Sequence, residues 1–157
     1  MVIKSFFWWL IGLVVFFDQL SKWVVVWGFG FDWGWFSVHL VENTGAGFGI
    51  FRGSNVYLLV ISLLIVGCIL FFWKKFDLVE RFFLVLVIGG AAGNSIDRVV
   101  HGFVVDFLDS QVWSVFNLAD SVICVSVVGL VLYTFREKSV WLEGRFVLLD
   151  GWLKKRV

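Results

Sequence analysis

The chain is 157 residues long, 61% hydrophobic and 20% aromatic, with only 16% of its residues charged. A soluble domain carries about 25% charged residues, so this composition excludes the ordinary soluble class and leaves a single integral membrane domain, 1–157. Thirteen basic against twelve acidic residues exclude nucleic-acid binding as a bulk property, and Cys68 and Cys124 lie in separate apolar runs with no metal-ligand spacing to His39 or His101.

A spanning helix needs about 20 mostly apolar residues, and four segments approach that length, at 6–27, 55–73, 82–100 and 117–135. Lys4 precedes the first, but no small-residue cleavage site follows it, so the segment is expected to be retained. Residues 28–53 are rich in glycine and aromatics, with alternation through Trp33–Val41, and predict short strands on the outer membrane face. Residues 102–115 form a second outer loop. The fold class is therefore an all-α membrane protein of four transmembrane helices, with a small β-rich outer subdomain between the first two. The tail, 137–157, mixes aromatics with charges and reads as a surface-lying amphipathic segment or a disordered one.

Basic residues set the orientation. With both termini cytoplasmic, the inner side receives Lys4, Lys74, Lys75, Arg81, Arg136, Lys138, Arg145, Lys154, Lys155 and Arg156, while Lys22, Arg52 and Arg98 fall at or beyond the outer side. Trp8, Trp9, Trp73 and Tyr133 mark the inner boundary; Trp27, Trp33, Trp35, Tyr57 and Trp113 mark the outer one.

Against this apolar background the acids stand out, since an ionisable side chain at the bilayer centre costs about 2.5–3.5 kcal/mol. At about 1.5 Å of rise per residue, Asp18 lies roughly 18 Å above the inner boundary, and Asp97 and Asp120 each roughly 22 Å above it. All three share a level in the outer half. Asp18 with Lys22, Asn94 with Asp97 and Arg98, and Asn117 with Asp120 have spacings of three or four, which put each acid beside a local amide or cation. The small residues Gly89–Gly93 let another helix approach the third. Asp106, in the outer loop, can dip toward the same layer.

These motifs resemble the lipoprotein signal peptidases, the type II signal peptidases of bacteria, along nearly all of the chain before the tail. Asp18-Gln19-Leu20-Ser21-Lys22, Asn43-Thr44-Gly45-Ala46-Gly47-Phe48-Gly49, Gly93-Asn94-Ser95-Ile96-Asp97-Arg98, Val104-Val105-Asp106-Phe107 and Phe116-Asn117-Leu118-Ala119-Asp120-Ser121 occur in the family's order. Gly47 stands where alanine is more usual, and the proline often found before the last motif is missing. The resemblance implies an intramembrane aspartic peptidase of the bacterial inner membrane that cuts diacylglyceryl-modified prolipoproteins. It implies Asp106 and Asp120 as the catalytic pair, with Asn94, Asp97, Arg98 and Asn117 supporting them and Asp18, Lys22 and Asn43 holding the framework. It further implies no cofactor or metal, a monomer among membrane phospholipid, and inhibition by globomycin.

The residues alone leave other readings open. Spacing does not choose Asp106 over Asp97 as the partner of Asp120. The buried acids also fit a small proton- or cation-coupled transporter, although they sit at one level and form no chain across the bilayer. Ser62, Ser121 and Ser126 have no His or Lys placed to activate them. Arg98 is read as structural, Asp109 as a solvated loop acid, and His39 and His101 as ordinary loop residues. Arg52 is read as an anchor to head groups or substrate.

Overall fold

The computed structural model describes residues 2–45 and 53–154, with side chains described for 6–45 and 53–137. Arg52 and most of the Gly45–Gly49 stretch lie outside the described residues. The elements in chain order are α1 (Val2–Val26), β1 (Phe31–Asp32), β2 (Ser37–Asn43), α2 (Asn55–Phe71), a 3-10 turn (Trp73–Lys75), α3 (Leu78–Val100), β3 (Val104–Asp109) and α4 (Leu118–Lys154).

The long helices are apolar without a strong polar face, because lipid covers them where a soluble helix would meet water. Val125, Leu132 and Phe135 are all exposed on α4, as Trp8, Trp9 and Phe16 are on α1. So much exposed apolar surface is foreign to a soluble monomer. Among the described residues, three stretches are long and apolar enough to cross a membrane: Phe6–Val26, Leu78–Val100 and Leu118–Glu137. The α2 helix is equally apolar but has 17 residues.

Small residues make α3 the hub of the bundle. A Cβ added to Gly89 would meet the Val14 side chain of α1, and one added to Gly90 would meet the Ala119 carbonyl of α4 at 2.8 Å. Gly93 has the Asp18 carboxylate in the same position. Behind this seam, Ile69 of α2 packs with Leu84, Val87 and Ile88 of α3. The start of α3 falls earlier than the sequence reading placed it. Asp77 accepts hydrogen bonds from the Val79 and Glu80 backbone, and the Glu80 side chain accepts one from the Asp77 N–H. That capping box fixes the N-terminus at Leu78.

The three strands form one antiparallel sheet in the order β1-β2-β3. Gly34, at φ +82°, turns the chain between β1 and β2, and its N–H is held by Asp32 Oδ1 at 2.6 Å. The third strand comes from the segment expected to be an outer loop. Val104–Asp109 pairs with β2 through Val41↔Asp106, Glu42↔Val105 and Asn43↔Val104. The run is only six residues long and lies far from its partner in sequence, so no local turn signal announced the pairing. Its side chains Val104–Phe107 are buried, and Phe107 packs with Val25 and Val38.

At the other end, the backbone expected to leave α4 as a tail after 137 continues as helix to Lys154. No proline interrupts it, and Gly144 and Gly151 are weak breakers on their own.

Candidate active site

Lys22 is the centre of the polar layer. Its ammonium lies 2.7 Å from Asp18 Oδ2 and 2.9 Å from Asp97 Oδ2, and it donates to Asn94 Oδ1 at 3.0 Å. Three acceptors use its three N–H bonds, so a cation only 3% exposed is fully satisfied. The expected pairing of Asp18 with Lys22 is present. The expected pairing of Asn94 with Asp97 is not: Asp97 instead accepts from Gln19 Nε2 at 2.8 Å and from the Val105 N–H at 3.1 Å. Asp18 Oδ1 accepts from the Ala119 N–H at 2.9 Å. These bonds lock α1, α3, β3 and α4 together.

Around this layer, geometry dictates how the amides point. Asn94 Oδ1 receives Lys22 and the Asn117 amide, so Asn94 Nδ2 is turned to Asp120 Oδ1, 2.8 Å away. Asn117 Nδ2 donates to Asp106 Oδ1 at 2.7 Å. Asn43 Oδ1 is tied to the Gly45 N–H, which leaves its Nδ2 to donate to Asp106 Oδ2 at 2.8 Å. Asp120 is further fixed by its own helix. The Asn117 side chain accepts from the Asp120 N–H at 2.9 Å, and Asp120 Oδ2 accepts from the Asn117 N–H at 3.3 Å. Asn117 thus caps α4 reciprocally with Asp120, the third residue of the helix.

Asp106 and Asp120 line one cavity of about 180 Å³ with Asn43, Asn94, Arg98 and Trp113. Asp18, Lys22 and Asp97 do not line it. Burial, with the charge of Asp120 adding to it, pushes the Asp106 carboxyl up to about 6 against the hydrogen bonds from Asn43 and Asn117. Asn43, expected in the framework, is therefore in direct contact with a cavity acid.

Arg98, read from the sequence as a supporting residue with a structural role, also faces the cavity. Among the described residues its guanidinium makes one long bond, Nη1 to the Asn94 carbonyl at 3.4 Å, and its buried Nε has no partner. Gln19 was quoted in a motif but given no role, although it donates to Asp97 and to the Gly93 carbonyl at 3.2 Å. A Gln one position after a buried acid was the available signal.

The serine alternatives find no support in the geometry. Ser121 donates to the Asn117 carbonyl and Ser126 to the Val122 carbonyl, while Ser62 accepts from Ser95 at 3.4 Å. Ser37 lies 3.1 Å from His39 Nδ1, with Asp109 3.9 Å from the other ring nitrogen. Ser37 is only 4% exposed and its oxygen accepts from Gln111, so this hydroxyl has no room for a carbonyl substrate. Asp109 is held by the Gln111 N–H at 2.8 Å, away from the cavity.

A family model described as signal peptidase (SPase) II matches residues 10–136. The chain is 37% identical over 152 residues to the lipoprotein signal peptidase of Gloeothece citriformis (strain PCC 7424), covering 88% of this chain and 95% of that one. It is 36% identical over 149 residues to the lipoprotein signal peptidase of Vibrio campbellii (strain ATCC BAA-1116), covering 83% and 89%. A bacterial membrane enzyme solved by the in meso method superposes with a TM-score of 0.79 at 28% identity, covering 86% of this chain and 90% of that one. A second, solved the same way, gives 0.74 at 27% identity, covering 83% and 92%.

Proposed function

The chain belongs to the signal peptidase II family, and from that premise we propose that it is an intramembrane aspartic endopeptidase that removes signal peptides from diacylglyceryl-modified prolipoproteins. Asp106 and Asp120 are the catalytic pair. The observation that carries this reading is the one cavity both acids line, with Asn117 and Asn94 each giving an amide to a different carboxylate.

With one proton held between the two carboxyls, the ionised member takes a proton from water as the water oxygen attacks the scissile carbonyl carbon. The protonated member hydrogen-bonds the carbonyl oxygen. As the tetrahedral carbon collapses, the C–N bond breaks and the leaving amine takes a proton from the pair. The signal peptide leaves with a new carboxyl group, and the lipidated Cys with a free amine. Water supplies every atom added. The pair titrates as a unit.

Asp18, Lys22 and Asp97 are framework. Asn43, Asn94 and Asn117 orient the carboxyls, and Arg98, with hydrogen-bonding capacity left over, faces the same space. In this reading all four helices cross the bacterial cytoplasmic membrane, α2 within the shorter limit of about 17 residues. The sheet lies on the outer face, and both termini are cytoplasmic. The protein works as a monomer among phospholipids.

The test is incubation of the purified chain with a diacylglyceryl-modified prolipoprotein and with its unlipidated form. Cleavage of the lipidated form alone, blocked by globomycin and abolished in Asp106→Asn and Asp120→Asn variants that insert and fold normally, is the expected result. Normal turnover by either variant would remove that residue from the pair. Ion flux in proteoliposomes without any cleavage would favour the transporter reading.

A further inference from the structure

A second cavity, of about 620 Å³, lies nearer the starts of α1 and α3 and takes no part in the proposed chemistry. Phe7, Ile11, Leu70 and Ile88 give it an apolar wall, and the 3-10 turn after α2 adds Trp73 and Lys74. The wall is built rather than loose. Trp73 stands edge-on to Phe7 at 5.8 Å, and the Arg81 guanidinium lies over its indole at 5.7 Å. Arg81 Nε is buried without a hydrogen-bond partner among the described residues.

Lys74 is the exposed cation of this wall, and no ion pair neutralises it among the described residues. The acids that follow it in sequence are already engaged. Asp77 accepts from Val79, Glu80 and Tyr133, and Glu80 accepts from the Asp77 N–H. Neighbouring Lys75 is turned over the Phe72 ring at 4.9 Å. An apolar groove ending in an ammonium that has no ion pair among the described residues matches an acyl chain joined to an anion. A zwitterionic headgroup would bring a second cation beside Lys74, Lys75 and Arg81. Basic pockets between membrane helices bind anionic headgroups for this reason.

We propose that this groove is a binding site for one anionic glycerophospholipid, an acyl chain lying along Ile11, Leu70 and Ile88 and the phosphate paired with Lys74. The site is separate from the carboxylate cavity and independent of peptidase activity.

The test is native mass spectrometry of the full chain released from mixed micelles holding equal amounts of phosphatidylglycerol and phosphatidylcholine with identical chains. The wild type is expected to retain phosphatidylglycerol about fivefold better, the effect of roughly one cation at an anionic surface. Lys74→Gln should equalise the two lipids, Lys74→Arg should keep the preference, and Lys75→Gln should leave it nearly unchanged. Leu70→Trp, which fills the apolar wall from a half-exposed position, should lower retention of both lipids. Absence of a preference in the wild type overturns the proposal, as does a preference that survives Lys74→Gln. Equal loss in the Lys75→Gln and Lys74→Gln variants would mean diffuse surface charge, and unchanged retention in Leu70→Trp would mean that the chain lies elsewhere. Either result also overturns it.

Discussion

Asp106 is buried to 1% exposure and its carboxyl is pushed up to about 6, which couples its charge to stability. Its ordinary value of 3.8 rises to about 6 in the fold, so between those limits the folded chain binds more protons than the unfolded one. The contribution to stability is complete below the lower value and is lost as pH rises through the upper one. A shift of that size corresponds to about 3 kcal/mol. The Asp106→Asn variant has no such proton to lose. Whatever its offset from the wild type at pH about 4, its relative melting temperature in detergent should climb as pH approaches about 7. A constant difference across that range would mean that burial of Asp106 carries no titration penalty. Arg98 shows what sequence hides at this scale. Its spacing from Asn94 was legible, but whether the guanidinium was consumed by backbone or left facing a cavity depended on chains packed from elsewhere.

Among the elements, α3 bears the tightest constraints, and they are imposed by the residues it lacks. Gly93 leaves the space that the Asp18 carboxylate occupies, and Asp18 in turn holds Lys22 and the Ala119 N–H. The Gly93→Ala methyl must displace that carboxylate from Lys22, the Ala119 N–H and the Gln19 amide at once. An overpacked core position costs about 1–3 kcal/mol, and disrupted buried hydrogen bonds add to it. Gly93→Ala should therefore lower the melting temperature far more than Gly12→Ala, which has open space around it. Similar losses in the two variants would show that the close approach is relaxed at little cost. The small-residue run was readable from sequence, as were the helices, because lipid demands long apolar segments. The start of α3 was missed although Asp77 and Glu80 carry a capping-box spacing. The β3 strand was missed for a different reason: its partner is about sixty residues away, and only the pairing itself makes it a strand.

Across the whole molecule, one cation connects pieces of the chain that sequence alone left unrelated. Spacing placed Lys22 beside Asp18, but its approach to Asp97 and Asn94 joins α1 to α3, and Val105 and Ala119 carry the network into β3 and α4. The shared depth of the acids was legible from helical rise, whereas the identity of each acid's partner was not, since helix rotation and β3 pairing decide it. A buried ion cluster of this kind is held less by its net energy than by the cost of breaking it one member at a time. Lys22→Met leaves two carboxylates, Asp18 and Asp97, facing each other without a cation, and should destabilise the fold by about 3–5 kcal/mol. Combining it with Asp18→Asn and Asp97→Asn removes the stranded charges, and the triple variant should recover much of that loss. Detergent melting curves of the single, double and triple variants measure this recovery. Simple additivity of the three changes would mean that the groups act independently and that Lys22 does not organise the polar layer.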